Sequence, residues 1–269
     1  MTRGDDPRTA RCRNRATKAL TVQAVRRQPD HHAPDAVRSD RGLREAQVSH
    51  VVLAGGIPPK GSVEAIKAFG AKVLLCPQRW RWPRSCCARG ADALVIEGSE
   101  AGGHIGPVAT SVLAQEFLPE LAEDHVVFVA GGIGRGDMIA AYLEMGASGR
   151  PARHALCLRH ESIAHPDFKK AFFRANARDA VASVQVDPRL PVIPVRALKN
   201  KGTEEFTAKQ REVAQLLDEG RGRDGRGPAE IEHYWAGALR RAVIDGDVEN
   251  GSVMAGPVGR HGHEGARIS

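Results

Sequence analysis

The chain has 269 residues, a formal net charge of +7 and only 4% aromatic residues. That length accommodates a single α/β domain with a sizeable core. Scarce aromatics, and arginines gathered in Pro-, His- and Cys-rich segments rather than along a helix face, argue against a nucleic-acid surface. No apolar run reaches bilayer-spanning length, and the N-terminus has no hydrophobic signal core. The five cysteines, Cys86 and Cys87 adjacent among them, form an odd, irregular set without zinc spacing. A cytoplasmic protein with no metal site and no membrane or nucleic-acid partner is expected, its oligomeric state left open.

In chain order, residues 50–54 are the first clear strand, with Val51, Val52 and Leu53 followed by Gly55 and Gly56. A Pro58–Gly61 turn then starts a helix near Ser62, and residues 71–75 form the next strand. Within 92–97, the apolar run Ala93–Ile96 bounded by glycine has the pattern of a strand buried on both faces. Gly102 and Gly103 remove side chains beyond its carboxyl end, so a flat ligand can approach the backbone. His104 places beside that opening a side chain that titrates near neutrality. Taken alone, a His after a glycine pair is more often a solvated loop residue than a catalyst. A second unit repeats the plan: strand 125–130, the turn Gly131-Gly132-Ile133-Gly134, and a helix from about Asp137 to Met145. Two such units predict parallel βα structure with a site at the strand ends.

Further on, His165–Phe172 reads as a helix start with Phe168 and Phe172 on one face. Pro188, Pro191 and Pro194 punctuate an extended connection. Thr207 opens another helix, with Val213, Leu216 and Leu217 on its apolar face. Tyr234 and Trp235 read as core anchors or pocket lining. Residues 1–47, 76–89, 150–160, 221–229 and 257–269 differ from the rest, being rich in Arg, Pro, His, Cys and Trp with no regular period. They are either disordered linkers or ordinary sequence translated one base out of register. In the neighbouring frame, residues 149–159 can be recoded as G-V-Q-L-G-T-R-F-A-C-A, and residues 23–46 as a stretch beginning K-P-F-G-V-N-L.

The segments EAGGHIG (Glu100–Gly106), VFVAGGIGRG (Val127–Gly136) and HYWAGALRRAVIDGDVENGSVMAG (His233–Gly256) resemble the nitronate monooxygenase family, formerly called 2-nitropropane dioxygenases. The similarity spans roughly residues 48–256 apart from the odd segments. It implies an FMN-containing TIM-type (β/α)8 barrel with a C-terminal helical segment. That barrel is expected to be incomplete here, with its first two strands absent and its third and eighth scrambled. The resemblance divides the chain into an atypical 1–47, barrel βα units with the flavin site over 48–160, a helical region closing the barrel over 161–256, and an atypical tail over 257–269.

The implied activity is oxidation of alkyl nitronates, or of nitroalkanes, by O2 to a carbonyl compound and nitrite. By position, His104 would be the active-site base or hydrogen-bond partner beside the flavin. Gly102, with Gly103, would let the isoalloxazine lie against the backbone. Glu97 occupies the place of a flavin-contacting Gln, and Gly131 and Gly132 would cradle the FMN phosphate. The places of the Q-L-G-T turn hold Pro151, Ala152, Arg153 and His154, and the Asn of G-V-N-L falls at Gln28. Both departures predict weakened FMN binding. Two other readings stand beside this one: a flavin enoyl-thioester reductase on the same barrel, and a non-catalytic remnant.

Overall fold

The structure is a computed structural model that describes residues 26–27, 47–53, 58, 61–76, 87, 89–151, 157–190, 192, 194–219 and 237–257. Its strands are β1 (Arg26–Arg27), β2 (His50–Leu53), β3 (Lys72–Leu75), β4 (Ala93–Glu97), β5 (Gly103–His104), β6 (Val126–Ala130), β7 (Ala180–Ala182) and β8 (Val195–Leu198). The helices are α1 (Ser62–Lys67), α2 (Thr110–Leu121), α3 (Gly136–Glu144), α4 (Pro166–Arg174), α5 (Lys201–Asp218) and α6 (Ala238–Val243). No described helix is long and apolar enough to cross a membrane.

Five strands form one parallel sheet in the order β1-β2-β3-β4-β6. The period of two sorts their side chains onto two faces. Val51, Leu53, Val73, Leu75, Leu94, Ile96, Val127 and Val129 pack with Val63 and Ile66 of α1, Leu113, Phe117 and Leu118 of α2, and Tyr142 of α3. On the other face Leu74, Cys76, Ala93, Val95 and Ala130 form a second apolar cluster with Val52 and Phe128. Burial on both faces explains the nearly unbroken apolar runs of these strands. Each fully buried Val or Leu stabilises the fold by roughly 1.5–3 kcal/mol.

The four strands expected at 50–54, 71–75, 92–97 and 125–130 are present, shortened by a residue at one end or the other. Two places expected to lack a regular strand are nonetheless paired. Arg26–Arg27 runs parallel to β2, and Gly149 forms a parallel bridge to Phe128 at the other edge of the sheet. Parallel ladders are made by backbone groups, so an atypical side-chain run does not prevent pairing. The eightfold closure of a complete barrel is not seen among the described residues.

Residues 161–256, expected as a helical region closing the barrel, hold strands beside their helices. They contain β7 and β8, which pair antiparallel with each other and with β5, and Met254 bridges Ala197. These strands are three and four residues long, too short for alternation to announce them. Beneath them Leu158, Phe168, Phe172, Ala242, Val253 and Ala255 form a separate core. The Phe168 and Phe172 rings lie 4.9 Å apart, as their helical spacing predicts. Helix α5 begins at Lys201, well before Thr207. Asn200 Oδ1 accepts from Thr203 N at 2.9 Å while Thr203 Oγ1 accepts from Asn200 N at 3.0 Å. This reciprocal cap, with Thr in the usual place of Glu, is the true start. Gln28, Gly55, Gly56, Lys60, Cys86, Ala152, Arg153, His154, Pro191, Tyr234 and Trp235 lie outside the described residues.

Candidate functional site

The carboxyl end of β4 opens into the segment 98–104, and the carboxyl end of β6 into the glycine turn 131–134. These two turns, far apart in sequence, lie against each other. A Cβ built on Gly131 would stand 3.0 Å from Ala101 N, and one on Gly132 would stand 3.0 Å from Glu100 Cβ. β4 and β6 are adjacent in the sheet, with Glu97 opposite Ala130, so both chains leave at the same level.

Gly131 and Gly132 have φ of 97° and 70°, backbone that side chains with a Cβ rarely adopt. Among the described residues, none of the backbone N–H groups of Gly131, Gly132, Ile133 and Gly134 donates to a protein acceptor. The turn leads directly into α3, whose first residue is Gly136. Arg150 brings a guanidinium to the same turn, its Nη1 donating to Ile133 O at 3.5 Å. Unpaired N–H groups, a helix start and a cation in one place make this turn a candidate anion site.

Glu100, which the sequence reading passed over, organises the opposite wall. Its Oε2 accepts from Thr110 N at 2.8 Å, from Thr110 Oγ1 at 3.1 Å and from Ser99 Oγ at 3.1 Å. Thr110 is the first residue of α2, whose N-cap, Ala109, has no side-chain acceptor. Glu100 therefore caps the helix from ten positions upstream, a carboxylate at the positive end of the dipole. A helix start at Thr110 with no capping side chain of its own was the available signal. Burial, reinforced by the charge of Glu100, pushes the Tyr142 phenol up.

His104 lies within β5 rather than in a free loop, opposite Val195 of β8. Ile105 N donates to Pro194 O at 3.0 Å just beyond it. Gly103, with φ 93°, is buried and pairs with Arg196. Gly102 is crowded on the side where a Cβ would stand. The space a side chain would take there is filled by the C-terminal segment, 2.6 Å from Gly256 N, so its side-chain direction faces protein rather than an opening. Glu97 ends β4, and its Oε2 accepts from Cys76 Sγ at 3.6 Å across the face turned away from the helices. The structure thus brings Glu97, the segment holding Gly102, Gly103 and His104, and the Gly131–Gly132 turn to one end of the parallel sheet.

Comparison with known proteins places this arrangement. The sequence profile of the family described as nitronate monooxygenase matches residues 5–265. A nitronate monooxygenase of Pseudomonas aeruginosa is 34% identical over 154 residues, 55% of this chain and 44% of that protein. An octahydroindene carboxyl-CoA dehydrogenase of Rhodococcus jostii is 32% identical over 173 residues, 64% of this chain and 48% of that protein. The chain thus spans about half the length of the curated relatives it matches. FabK from Thermotoga maritima superposes with a TM-score of 0.81 at 27% identity, over 96% of this chain and 76% of that one.

Proposed function

Because the chain belongs to the nitronate monooxygenase family, an oxidoreductase family, we propose that it binds FMN at the β4 and β6 strand ends and oxidises alkyl nitronates with O2, giving a carbonyl compound and nitrite. The observation that carries this reading is the 131–134 turn, with four N–H groups lacking a protein acceptor among the described residues beside the His104 segment. A phosphate monoester matches such a donor set, and Arg150 adds a positive charge at its edge. The Glu100 carboxylate on the opposite wall is held toward α2 by three hydrogen bonds.

Bound FMN supplies the electron acceptor and the reaction with O2, chemistry no side chain can perform. The protein's own groups hold and orient. Gly131 and Gly132 would hold the phosphate, and Gly103 and Glu97 are the residues that would hold the ring. His104 takes the α-proton when the substrate is a neutral nitroalkane, a step for which an imidazole is a common general base. A nitronate, already an anion, needs no such proton transfer.

The test compares FMN with riboflavin, which lacks the phosphate. Fluorescence quenching on binding should show FMN held about tenfold or more tightly, the effect of one or two charge-assisted hydrogen bonds. The FMN-loaded protein should release nitrite from an alkyl nitronate. Equal affinity for both flavins, or no nitrite from the loaded protein, overturns the reading. The likeness to a carboxyl-CoA dehydrogenase supports one other reading, flavin chemistry on an enoyl thioester. Consumption of reduced nicotinamide cofactor with an enoyl thioester, without nitrite release from a nitronate, selects it.

A further inference from the structure

Arg196 joins the parts that meet at the site. It lies on β8, with its backbone opposite Gly103 of β5. Its Nε donates to Ser99 O at 2.8 Å, in the segment between Glu97 and His104, and its Nη1 donates to Ala180 O at 2.7 Å, at the start of β7. Its own carbonyl accepts from Ala255 N at 3.3 Å, in the C-terminal segment that crosses Gly102. One half-buried residue therefore touches the β4 exit, the strand carrying His104, the outer strand of the small sheet and the tail.

A guanidinium is suited to this because its donors point in fixed directions from a planar frame. Held on two carbonyls from different elements, it sets a distance between them. Charge-assisted hydrogen bonds to neutral carbonyls are stronger than neutral pairs, and two acting together define an orientation. Glu100 anchors the neighbouring residue from the other side, through Thr110. The segment 98–104 is thus pinned at Ser99 by Arg196 and at Glu100 by α2.

We propose that Arg196 is a positioning residue that sets the place of the His104 imidazole at the strand ends. It acts through the Ser99 carbonyl and the β5–β8 pairing. In its catalytic form this rests on the reading of His104 as the proton acceptor for a nitroalkane. A misplacement of about 1 Å at a reacting group can cost on the order of a hundredfold in rate. Loss of the clamp therefore falls on the step that uses His104 more than on the step that does not.

The experiment is Arg196→Met, which keeps the apolar stem and removes every side-chain donor, beside Arg196→Lys, which keeps the charge without the guanidinium's fixed fork of donors. With the FMN-loaded protein, Arg196→Met should lower turnover of a neutral nitroalkane by about tenfold more than turnover of the preformed nitronate. Arg196→Lys should recover part of that gap. A role in general stability would lower both substrates alike, so equal losses overturn the proposal. A second readout uses neither flavin nor turnover. The His104 ring proton resonances of the protein without added cofactor should shift in Arg196→Met, and unchanged resonances in a folded variant also overturn the proposal. If the parent protein oxidises no nitronate, the function fails while the His104 resonances still test the clamp. If Arg196→Met does not fold, Arg196→Lys carries both comparisons.

Discussion

Glu100 and Thr110 are ten residues apart in sequence and joined by two hydrogen bonds, from Thr110 N at 2.8 Å and Thr110 Oγ1 at 3.1 Å to one carboxylate oxygen. Thr110 Oγ1 also lies 3.4 Å from Ala130 O, at the end of β6. The pair thus ties together the β4 exit, the start of α2 and the β6 exit, the three pieces that frame the candidate anion site.

Glu100→Ala removes the cap and leaves the Thr110 amide without its carboxylate. A cost of about 1–3 kcal/mol is expected, combining a lost cap with a buried donor left unpaired. Glu100→Gln retains an acceptor and should cost less. Urea unfolding of the two variants measures the difference, and equal midpoints for Glu100→Ala and the parent would show that the cap carries no weight.

Gly102→Ala and Gly136→Ala should behave oppositely. At Gly102 a methyl group would sit 2.6 Å from Gly256 N and 2.8 Å from the Ala255 carbonyl carbon, whereas at Gly136 nothing lies within 4 Å. Backbone cannot give way as a flexible side chain does, so Gly102→Ala should lose about 1–3 kcal/mol or more as the tail is displaced. Gly136→Ala, in the first turn of α3, should gain about 0.4–1 kcal/mol by restricting the unfolded chain. Thermal melts of both variants decide this.

Asn200 caps α5 and also donates from Nδ2 to Val248 O and Gly251 O, each at 2.7 Å. Asn200→Ala removes three hydrogen bonds at once and uncouples the helix start from the 248–251 segment. About 2–4 kcal/mol should be lost, more than the roughly 1 kcal/mol of an isolated cap. Asn200→Asp keeps the cap but turns a carboxylate oxygen toward the Val248 and Gly251 carbonyls, so its loss should equal or exceed that of Asn200→Ala, as urea unfolding of the two variants will read.

Arg189 donates to both oxygens of Asp187, which holds that carboxyl down at about 2. A carboxyl whose folded value lies below its unfolded value of about 3.9 stabilises the fold above that unfolded value. The contribution is lost as the pH falls from about 4 toward about 2. Replacing the partner by Arg189→Met should raise the Asp187 titration midpoint toward the ordinary carboxylate range. A carboxyl-carbon NMR titration of the two proteins reads it directly, and coincident curves would refute the pairing.

The parallel strands were legible because burial on both faces writes itself into sequence as continuous apolar runs. Ala93–Ile96 and Val127–Ala130 are the plainest cases, with glycine one residue beyond the first and directly after the second. The glycine turn at 131–134 was legible for a related reason, since left-handed backbone leaves few residues but glycine. Strands β7 and β8 were not legible. They are short, and half their side chains face solvent or another sheet edge. The start of α5 was misplaced because Thr203 does in its capping box what Glu more often does.

Composition and local pattern alone determined the α/β class, four strands of the parallel sheet, the glycine turns and the resemblance to a flavin oxidoreductase family. These depend on interactions between residues close along the chain, or on burial that each residue meets singly. Only the tertiary structure decided that the tail fills the space beside Gly102, that Glu100 caps α2, and that Arg196 reaches from β8 to Ser99. Each depends on which residues distant in the chain meet in space, and neither spacing nor residue type along the chain specifies those meetings.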